Sequence, residues 1–208
     1  MKYFYLHGFA SSPRSTKARQ LRDRFQSLHL SLEVPDLNQN DFQQLTLTRQ
    51  IEQVKSLLLK DPVTLIGSSF GGLTAAWIAQ ECEQVDRIIL LAPAFHYLHH
   101  WLPTFPPAEL EKWRSGEPIS VYHYGLGESL LLDYGIVADL AKYDENQLQK
   151  SVPTLVVHGI HDETIPIAES RSYAKARSWV ELIELDSDHG LVDQEEPIWQ
   201  VIREFCGL

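Results

Sequence analysis

Short apolar runs alternate with amphipathic stretches along most of this chain. The apolar runs are rich in β-branched and aromatic residues and are four to seven residues long, which is typical of buried strands. The stretches between them carry apolar residues three or four positions apart, the period of a helix with one buried face. This pattern predicts six strands, at Lys2–His7, Leu30–Val34, Val63–Ile66, Val85–Leu91, Thr154–His158 and Val180–Leu185.

Helices are predicted between these strands. The first has Ala18, Leu21, Phe25 and Leu28 on its inward face, and the others cover Asp41–Lys60, the segment after Gly71, Ile167–Ala176 and Pro197–Phe205. Alternating strands and helices predict an α/β fold in three layers, a six-stranded and mainly parallel sheet flanked by helices. The strand order 2-1-3-4-5-6 would bring strands one and three together, and ligands would bind beyond their carboxyl ends.

The pattern breaks down between Ala94 and Lys150. Aromatic residues and prolines accumulate there, and no helical or strand period persists. A chain of 208 residues is long enough for one domain with a substantial core. We therefore predict a single domain at residues 1–208 that contains a lid-like insert at residues 94–150, after the fourth strand.

Composition narrows the classes of function. The chain is 44% hydrophobic and 22% charged, as is ordinary for globular proteins, and its formal charge is −10. Nucleic acids and anionic membranes need a basic face, so neither is expected as a partner. No apolar run approaches the roughly 20 residues of a membrane span. No leader segment precedes the first strand, and Cys82 and Cys206 have neither disulfide nor metal-ligand spacing, so a cytoplasmic location is predicted.

The sequence G-S-S-F-G at residues 67–71 stands where the third strand meets the next helix. A G-x-S-x-G motif between a strand and a helix is the nucleophile elbow, a tight turn that raises the central serine above the sheet. The motif arises by chance in about one chain in fifteen of this length, with Gly and Ser each at roughly 7% of residues. Ser69 is therefore a candidate nucleophile that needs support from the rest of the chain.

A serine nucleophile needs a base and an acid, which follow it along the chain in this kind of fold. Asp162 and His189 come directly after the last two predicted strands, so they are expected at the same sheet edge as Ser69. His189 would take the serine proton, and Asp162 would hold the imidazole in the required tautomer. Alternative acids follow the fourth strand, namely Asp133, Asp139 and Asp144.

The oxyanion of an acyl-transfer intermediate needs backbone N–H donors. We assign these to Phe70, which follows the serine, and to Phe9, which follows His7-Gly8 at the end of the first strand. No cofactor and no metal are expected. One alternative is a metal cluster in the insert, formed by His96, His99 and His100.

The insert and the loop after the first strand contain the candidate substrate-binding residues. Phe95, Tyr97 and Trp101 would form an apolar acyl or aryl pocket, unless they only pack the insert onto the sheet. Arg14, with Lys17 and Arg19 nearby, could receive an anionic group of the substrate, such as the phosphates of an acyl-coenzyme A, unless these are solvated helix residues.

The motifs G-S-S-F-G, H-G-F-A-S-S-P, H-G-x-x-D-x-x-x-P and D-H-G together resemble the α/β-hydrolase superfamily over nearly the whole chain. The opening Y-L-H-G-F-A-S-S-P-R-S-x-K-A with the later G-S-S-F-G-G is similar to the small YqiA-like esterases. The resemblance implies Ser69 as nucleophile, Asp162 as acid and His189 as base. It also implies backbone oxyanion donors at Phe9 and Phe70.

The leading hypothesis is a serine esterase or thioesterase that acts on a small-molecule ester or thioester with an apolar acyl group. A second hypothesis keeps the same triad for acyl transfer or a lyase reaction. A third is a non-catalytic ligand-binding protein on the hydrolase scaffold. Labelling of Ser69 by a fluorophosphonate separates the first two from the third, because only an activated serine reacts.

Overall fold

A computed structural model describes residues 1–208, and a six-stranded sheet forms its centre. The eight strands of the chain are β1 (Lys2–Leu6), β2 (Leu32–Glu33), β3 (Val63–Ser68), β4 (Val85–Leu91), β5 (Ile119–His123), β6 (Glu128–Leu132), β7 (Thr154–Gly159) and β8 (Val180–Leu185). The eight α-helices are α1 (Thr16–Ser27), α2 (Leu47–Leu57), α3 (Phe70–Glu81), α4 (Tyr97–Trp101), α5 (Pro107–Arg114), α6 (Gly135–Leu140), α7 (Ile167–Lys175) and α8 (Glu195–Cys206).

The sheet confirms the predicted strand order. Its strands run β2-β1-β3-β4-β7-β8, and every neighbouring pair is parallel. The fifth and sixth predicted strands are numbered β7 and β8 because the insert adds two strands of its own. Leu6 lies opposite Gly67, so β1 and β3 end at the same level and their exit loops are neighbours.

Two separate hydrophobic cores cover the two faces of the sheet. One core joins the sheet to α1 and α8, and a larger one joins it to α2, α3 and the insert. All six residues of β3 and the residues of α3 from Phe70 to Ala79 are buried. A strand covered on both faces has no polar face, which explains why the central strands appear in the sequence as unbroken apolar runs.

Helix α2 is shorter than the predicted segment Asp41–Lys60. It begins after Thr46, whose side chain accepts a hydrogen bond from the backbone N–H of Arg49, a typical N-terminal cap. The residues before it form turns that bury Phe42 and Leu45 in the larger core. The extended backbone of Thr46 prevents the helix from beginning earlier, although the apolar spacing in the sequence begins before this residue.

The insert is an ordered structure that combines short helices with an antiparallel hairpin of β5 and β6. The Trp113 side chain is fully buried, and its indole N–H donates a hydrogen bond of 2.9 Å to the carbonyl of Leu132, which ties α5 to the hairpin. Helices of five to eight residues are too short to establish a visible period in the sequence. The role of this insert as a lid stays a prediction.

None of the helices has the length and the apolar character required to pass through a lipid bilayer.

Candidate active site

Ser69 occupies the sharp turn between β3 and α3. Its φ is 53° and its ψ is −118°, a region that non-glycine residues rarely adopt. A side chain at Gly67 would collide with the backbone of Gly71, and one at Gly71 would collide with the carbonyl of Leu6. The two glycines of the motif therefore let strand, turn and helix pack closely enough to hold the serine in this strained position.

Three side chains form a continuous hydrogen-bonded chain at the carboxyl edge of the sheet. The Ser69 hydroxyl donates to His189 Nε2 at 2.9 Å, and His189 Nδ1 donates to Asp162 Oδ2 at 2.6 Å. The Asp162 and Ser69 side chains thus fix both ring nitrogens of His189. This is the arrangement in which an imidazole can take a proton from a hydroxyl while a carboxylate stabilises the resulting cation.

The Asp162 carboxylate is buried and fully hydrogen-bonded. One oxygen accepts from the backbone N–H groups of Thr164 and Ile165 at 2.8 Å each, and the other accepts from His189 and from His158 Nε2. Burial acts to raise the pKa of Asp162, but the hydrogen bonds from His158 and His189 outweigh it and hold the pKa well below the ordinary value. Asp162 therefore stays ionised at neutral pH.

His158 also contacts Asp162, a contact that was not predicted from the sequence. Its Nδ1 accepts a hydrogen bond from Ser170 Oγ on α7 at 2.7 Å, while its Nε2 donates to Asp162 at 2.9 Å and to the carbonyl of Ile165 at 3.0 Å. The side chain is completely buried. The H-G-x-x-D spacing was the available signal, because a loop of this length returns the acid to the strand-end histidine.

Two unpaired backbone donors lie beside the serine. The N–H groups of Phe9 and Phe70 have no hydrogen-bond acceptor within the protein. Gly8 packs directly against the serine, since a Cβ placed on it would lie 3.3 Å from Ser69 Cβ. Free backbone N–H groups near a candidate nucleophile are the kind of donor that a developing oxyanion requires.

His7 holds the loop that carries Phe9. Its Nδ1 donates to the carbonyl of Gly8, and its Nε2 accepts from the backbone N–H of Leu37, both at 3.0 Å. The ring is fully buried and does not contact Ser69. His7 thus orients the exit loop of β1, as expected for a histidine at a strand end.

A pocket of about 610 Å³ opens at Ser69 and His189. Arg14, which was predicted to bind substrate, lines this pocket, and Phe9 is the only phenylalanine in its wall. Phe95, Tyr97 and Trp101, the other predicted substrate-binding residues, do not line it. Basic and hydroxyl side chains dominate the lining instead: Arg14, Lys17, Arg19, Ser11, Ser12, Ser15 and Thr16.

The three aromatic side chains of the insert pack behind the pocket. Tyr97 and Trp101 stack on each other with ring centroids 5.0 Å apart, and both also contact the ring of Phe9. Phe95 stacks on Tyr173 of α7 at 4.3 Å. Their packing supports Phe9 from behind and joins the insert to the larger core.

Comparison with known proteins identifies the family of the chain and supports its fold. The sequence model of an uncharacterised protein family, UPF0227, matches residues 2–206. The chain belongs to this family. Its fold is shared with solved α/β hydrolases of low sequence identity, so that similarity concerns the fold.

Three solved structures illustrate the shared fold of this UPF0227 member. A putative hydrolase from Agrobacterium vitis S4 is 20% identical with a TM-score of 0.81, over 98% of this chain and 87% of that one. Alpha/beta hydrolase domain-containing protein 10 from mouse is 18% identical with a TM-score of 0.78, over 99% and 89%. Est1E from Butyrivibrio proteoclasticus, with ferulic acid bound, is 18% identical with a TM-score of 0.76, over 98% and 86%.

The alternative acids of this UPF0227 member lie away from His189. Asp139 accepts hydrogen bonds from the backbone N–H and the hydroxyl of Thr48 at the start of α2. Asp133 accepts from Gln43 at 2.9 Å, and Asp144 caps a short 3₁₀ turn. Only Asp162 contacts the candidate base.

The three histidines proposed as an alternative metal cluster, His96, His99 and His100, do not form a group that could hold a metal ion. His96 Nδ1 and His100 Nε2 each pair with a different oxygen of Glu169, at 2.6 and 2.8 Å. Only His99 is free of this carboxylate, and its ring packs edge-on against His100. Glu169 thus fastens α4 of the insert to α7.

The tip of the β5–β6 hairpin reaches the candidate oxyanion loop. Tyr124 and Gly125 line the pocket at Ser69, and the Gly125 N–H donates to the carbonyl of Ala10 at 3.4 Å. A neighbouring pocket of about 710 Å³ lies under the hairpin and shares Ser12 and Arg14 with the first. The insert therefore forms part of the wall of both pockets.

Replacing Gly125 with alanine is expected to lower kcat/KM for a 4-nitrophenyl ester about tenfold or more. The new Cβ would lie 2.7 Å from Ser12 Cβ and 3.0 Å from the Ser11 carbonyl carbon, so the hairpin tip and the Phe9 loop must move apart. A displacement of about 1 Å near a reacting group can cost on the order of 100-fold in rate. Gly135→Ala is the matched control because its new Cβ meets open space, and equal rates for the two variants would refute the prediction.

Proposed function

We propose that this protein is a serine hydrolase that cleaves carboxylic esters, thioesters included, through an acyl-enzyme on Ser69. The observation that carries the proposal is the unbroken hydrogen-bonded chain from Asp162 through His189 to Ser69. Its position beside two free backbone N–H groups supports acyl transfer in particular.

In the first half-reaction, Ser69 Oγ attacks the carbonyl carbon of the ester while His189 Nε2 takes its proton. The carbonyl oxygen becomes an oxyanion and receives hydrogen bonds from the N–H groups of Phe9 and Phe70, each worth about 3–4 kcal/mol in comparable enzymes. The tetrahedral intermediate then collapses, and His189 donates its proton to the departing alcohol or thiol. Ser69 is left as an acyl ester.

In the second half-reaction, water takes the place of the leaving group. His189 removes a proton from this water, and the resulting hydroxide attacks the acyl-enzyme through the same oxyanion site. Asp162 remains ionised throughout and stabilises the imidazolium, which its low pKa supports. Each cycle releases the acid and returns the proton to Ser69, so no cofactor or metal is required.

The proposed substrate is a small molecule with an apolar acyl group. Phe9 would contact that group at the pocket wall, with Tyr97 and Trp101 supporting the ring. Phe95 would act only through the packing of the insert, and Arg14 would bind the polar part of the substrate. The hairpin tip would act as the lid.

We place this activity in the cytoplasm, as the two unpaired cysteines favour.

Labelling with a fluorophosphonate tests the proposal. An activated serine forms a covalent phosphonyl adduct, so the intact mass is expected to rise by one adduct that peptide mapping locates at Ser69. Turnover of 4-nitrophenyl butyrate should vanish in step with labelling. A protein that binds esters without reacting with the probe would be a non-catalytic relative, and a labelled protein that needs an added alcohol or amine to turn over would be an acyltransferase.

A further inference from the structure

We propose that the pocket at Ser69 binds an anionic group of the substrate through Lys17, with Arg14 and Arg19 assisting. The proposal rests on the proposed function and deepens it, because it makes the substrates esters that carry a carboxylate or a phosphate. The anion and the apolar acyl group would occupy one pocket, the first near the basic side chains and the second against Phe9.

The charge of the pocket is opposite to that of the protein. The chain has a formal charge of −10, yet its pocket at Ser69 is lined by Arg14, Lys17 and Arg19 and by no aspartate or glutamate. Clefts lined by one sign of charge concentrate ligands of the other sign. We therefore expect the basic lining to attract an anionic ester to Ser69, although the net charge of the protein would repel it.

None of the three basic side chains has an acidic partner. Arg24, Arg49 and Arg171 elsewhere in the chain all lie within 4.0 Å of a carboxylate. Arg14, Lys17 and Arg19 have no carboxylate within that distance. Unpaired positive charges that face a concave site are available to a ligand. The hydroxyl groups of Ser11 and Thr16 in the same wall add hydrogen-bond donors for its oxygens.

Lys17 is the strongest of the three candidates. The Lys17 side chain is partly exposed where it lines the pocket, and its ammonium group makes no hydrogen bond within the protein. Burial lowers the pKa of Lys17 to about 8, although the negative charges of Asp188 and Asp162 act in the opposite direction. A desolvated ammonium without a partner is costly, and an anion bound beside it would compensate for that cost.

Helix α1 reinforces this site. Lys17 lies in the first turn of this 12-residue helix, and the backbone N–H groups of Thr16 and Lys17 have no acceptor. The amino end of a helix carries a partial positive charge that favours anions. The amino end of the helix, Lys17 and Arg19 within it, and Arg14 in the preceding loop therefore all lie at one wall of the pocket.

The charged groups around Lys17 determine how pH affects the site. Arg14 and Arg19 flank it on its own segment, His189 faces it across the pocket, and Asp162 and Asp188 act on it from the loops after β7 and β8. On its other side, the Arg24–Glu195 ion pair lines a small crevice under the Lys17 stem. Of these groups, His189 acts in the same way on every ester, so the ratio of the rates for two esters isolates the effect of the charge on the substrate.

The test compares anionic esters with neutral esters of similar size. On the leaving-group side, 4-carboxyphenyl and 4-phosphonooxyphenyl butyrate are compared with the neutral methyl ester of the former. On the acyl side, the 4-nitrophenyl monoester of glutaric acid is compared with its methyl-capped form. In the wild-type protein, kcat/KM is expected to be about tenfold higher or more for the anionic member of at least one pair, and the pair concerned identifies the position and the kind of anion.

Three variants connect this preference to Lys17. Lys17→Met is expected to lower the ratio at least fivefold, Lys17→Arg to preserve it, and Lys175→Met, which removes an exposed charge from α7, to leave it unchanged. In the wild type the ratio should fall as the pH rises through about 8, because the ammonium loses its proton, and Lys17→Arg should show no such fall. No preference for any anionic ester, or a preference that persists in Lys17→Met, overturns the proposal.

Binding measurements separate this proposal from the proposed function. Calorimetry with glutarate and with phenyl phosphate on the wild-type protein needs neither turnover nor a variant that folds. Binding of either anion with no labelling of Ser69 would support the anion site and refute the hydrolase. Labelling of Ser69 and turnover of neutral esters with no binding of either anion would refute the anion site alone.

Discussion

Replacing Ser69 with alanine is expected to lower kcat for 4-nitrophenyl butyrate by about 10⁵- to 10⁶-fold, the loss found when the nucleophile of a comparable triad is removed. The Ser69 hydroxyl, in the turn between β3 and α3, is the only hydroxyl that forms a hydrogen bond with the His189 ring. The variant should keep the wild-type fold because alanine differs from serine only by that oxygen. The measurement compares kcat of the purified variant and wild-type proteins, and thermal unfolding checks that the variant is folded.

The control for this experiment is Ser11→Ala. Ser11 lines the same pocket, and its hydroxyl makes no hydrogen bond to the relay, the hydrogen-bonded chain of Asp162, His189 and Ser69. Because 4-nitrophenyl butyrate is neutral and has no anionic group for the Ser11 hydroxyl to bind, this variant is expected to retain most of its activity on that ester and to react fully with the fluorophosphonate. If Ser69→Ala kept several per cent of the wild-type rate in a preparation free of contaminating esterase, Ser69 would not be the nucleophile.

Replacing Asp162 with asparagine is expected to lower kcat by about 10⁴-fold, as in other triads that lose the negative charge of the acid. Asp162 Oδ2 accepts hydrogen bonds from both His158 and His189, and an amide NH₂ at that position would face two N–H donors. One histidine must then rotate or change tautomer, so Ser69 loses its base. Asp186→Asn is the matched control, since Asp186 pairs with His161 at the surface.

The same variant has a pH-dependent effect on stability. The folded-state pKa of Asp162 lies below its ordinary value of about 3.9. The ionised carboxylate therefore contributes stability above about pH 4, and the contribution is lost as the pH falls through the lower folded-state pKa. Urea unfolding at pH 6 and at pH 3 should show a smaller difference between wild type and Asp162→Asn at the lower pH. A constant difference would mean that the carboxylate is not selectively stabilised in the folded state.

Local patterns were sufficient to predict the sheet and the identity of the relay residues. Strand ends are encoded by the apolar runs themselves, and in a parallel sheet those ends meet at one edge. Ser69, Asp162 and His189 each follow a strand end within four residues. Their convergence could therefore be predicted without knowing any distance, and the strand order supplied the neighbours.

Features that depend on contacts between distant segments could not be predicted in this way. The helical spacing of Asp41–Lys60 continued past the point where Thr46 caps α2. The insert consists of elements too short to show a period, and its aromatic residues looked like a pocket when they are a packed support. The H-G-x-x-D spacing places His158 near Asp162, but only the folded structure shows that His158 and His189 share one carboxylate oxygen, because His189 lies 27 residues further along the chain.

By itself, the sequence determined the sheet, the elbow and the three residues that follow strand ends at one edge of the sheet. All of these features depend on periodicity and spacing within a few residues. Only the tertiary structure decided the distances between the side chains of the relay, since the hydrogen bond from Ser69 to His189 joins residues 120 positions apart.

The tertiary structure also decided the charge of the pocket. Burial and ion pairing are properties of the space around a side chain, and the order of residues along the chain does not specify which lysine remains unpaired beside Ser69.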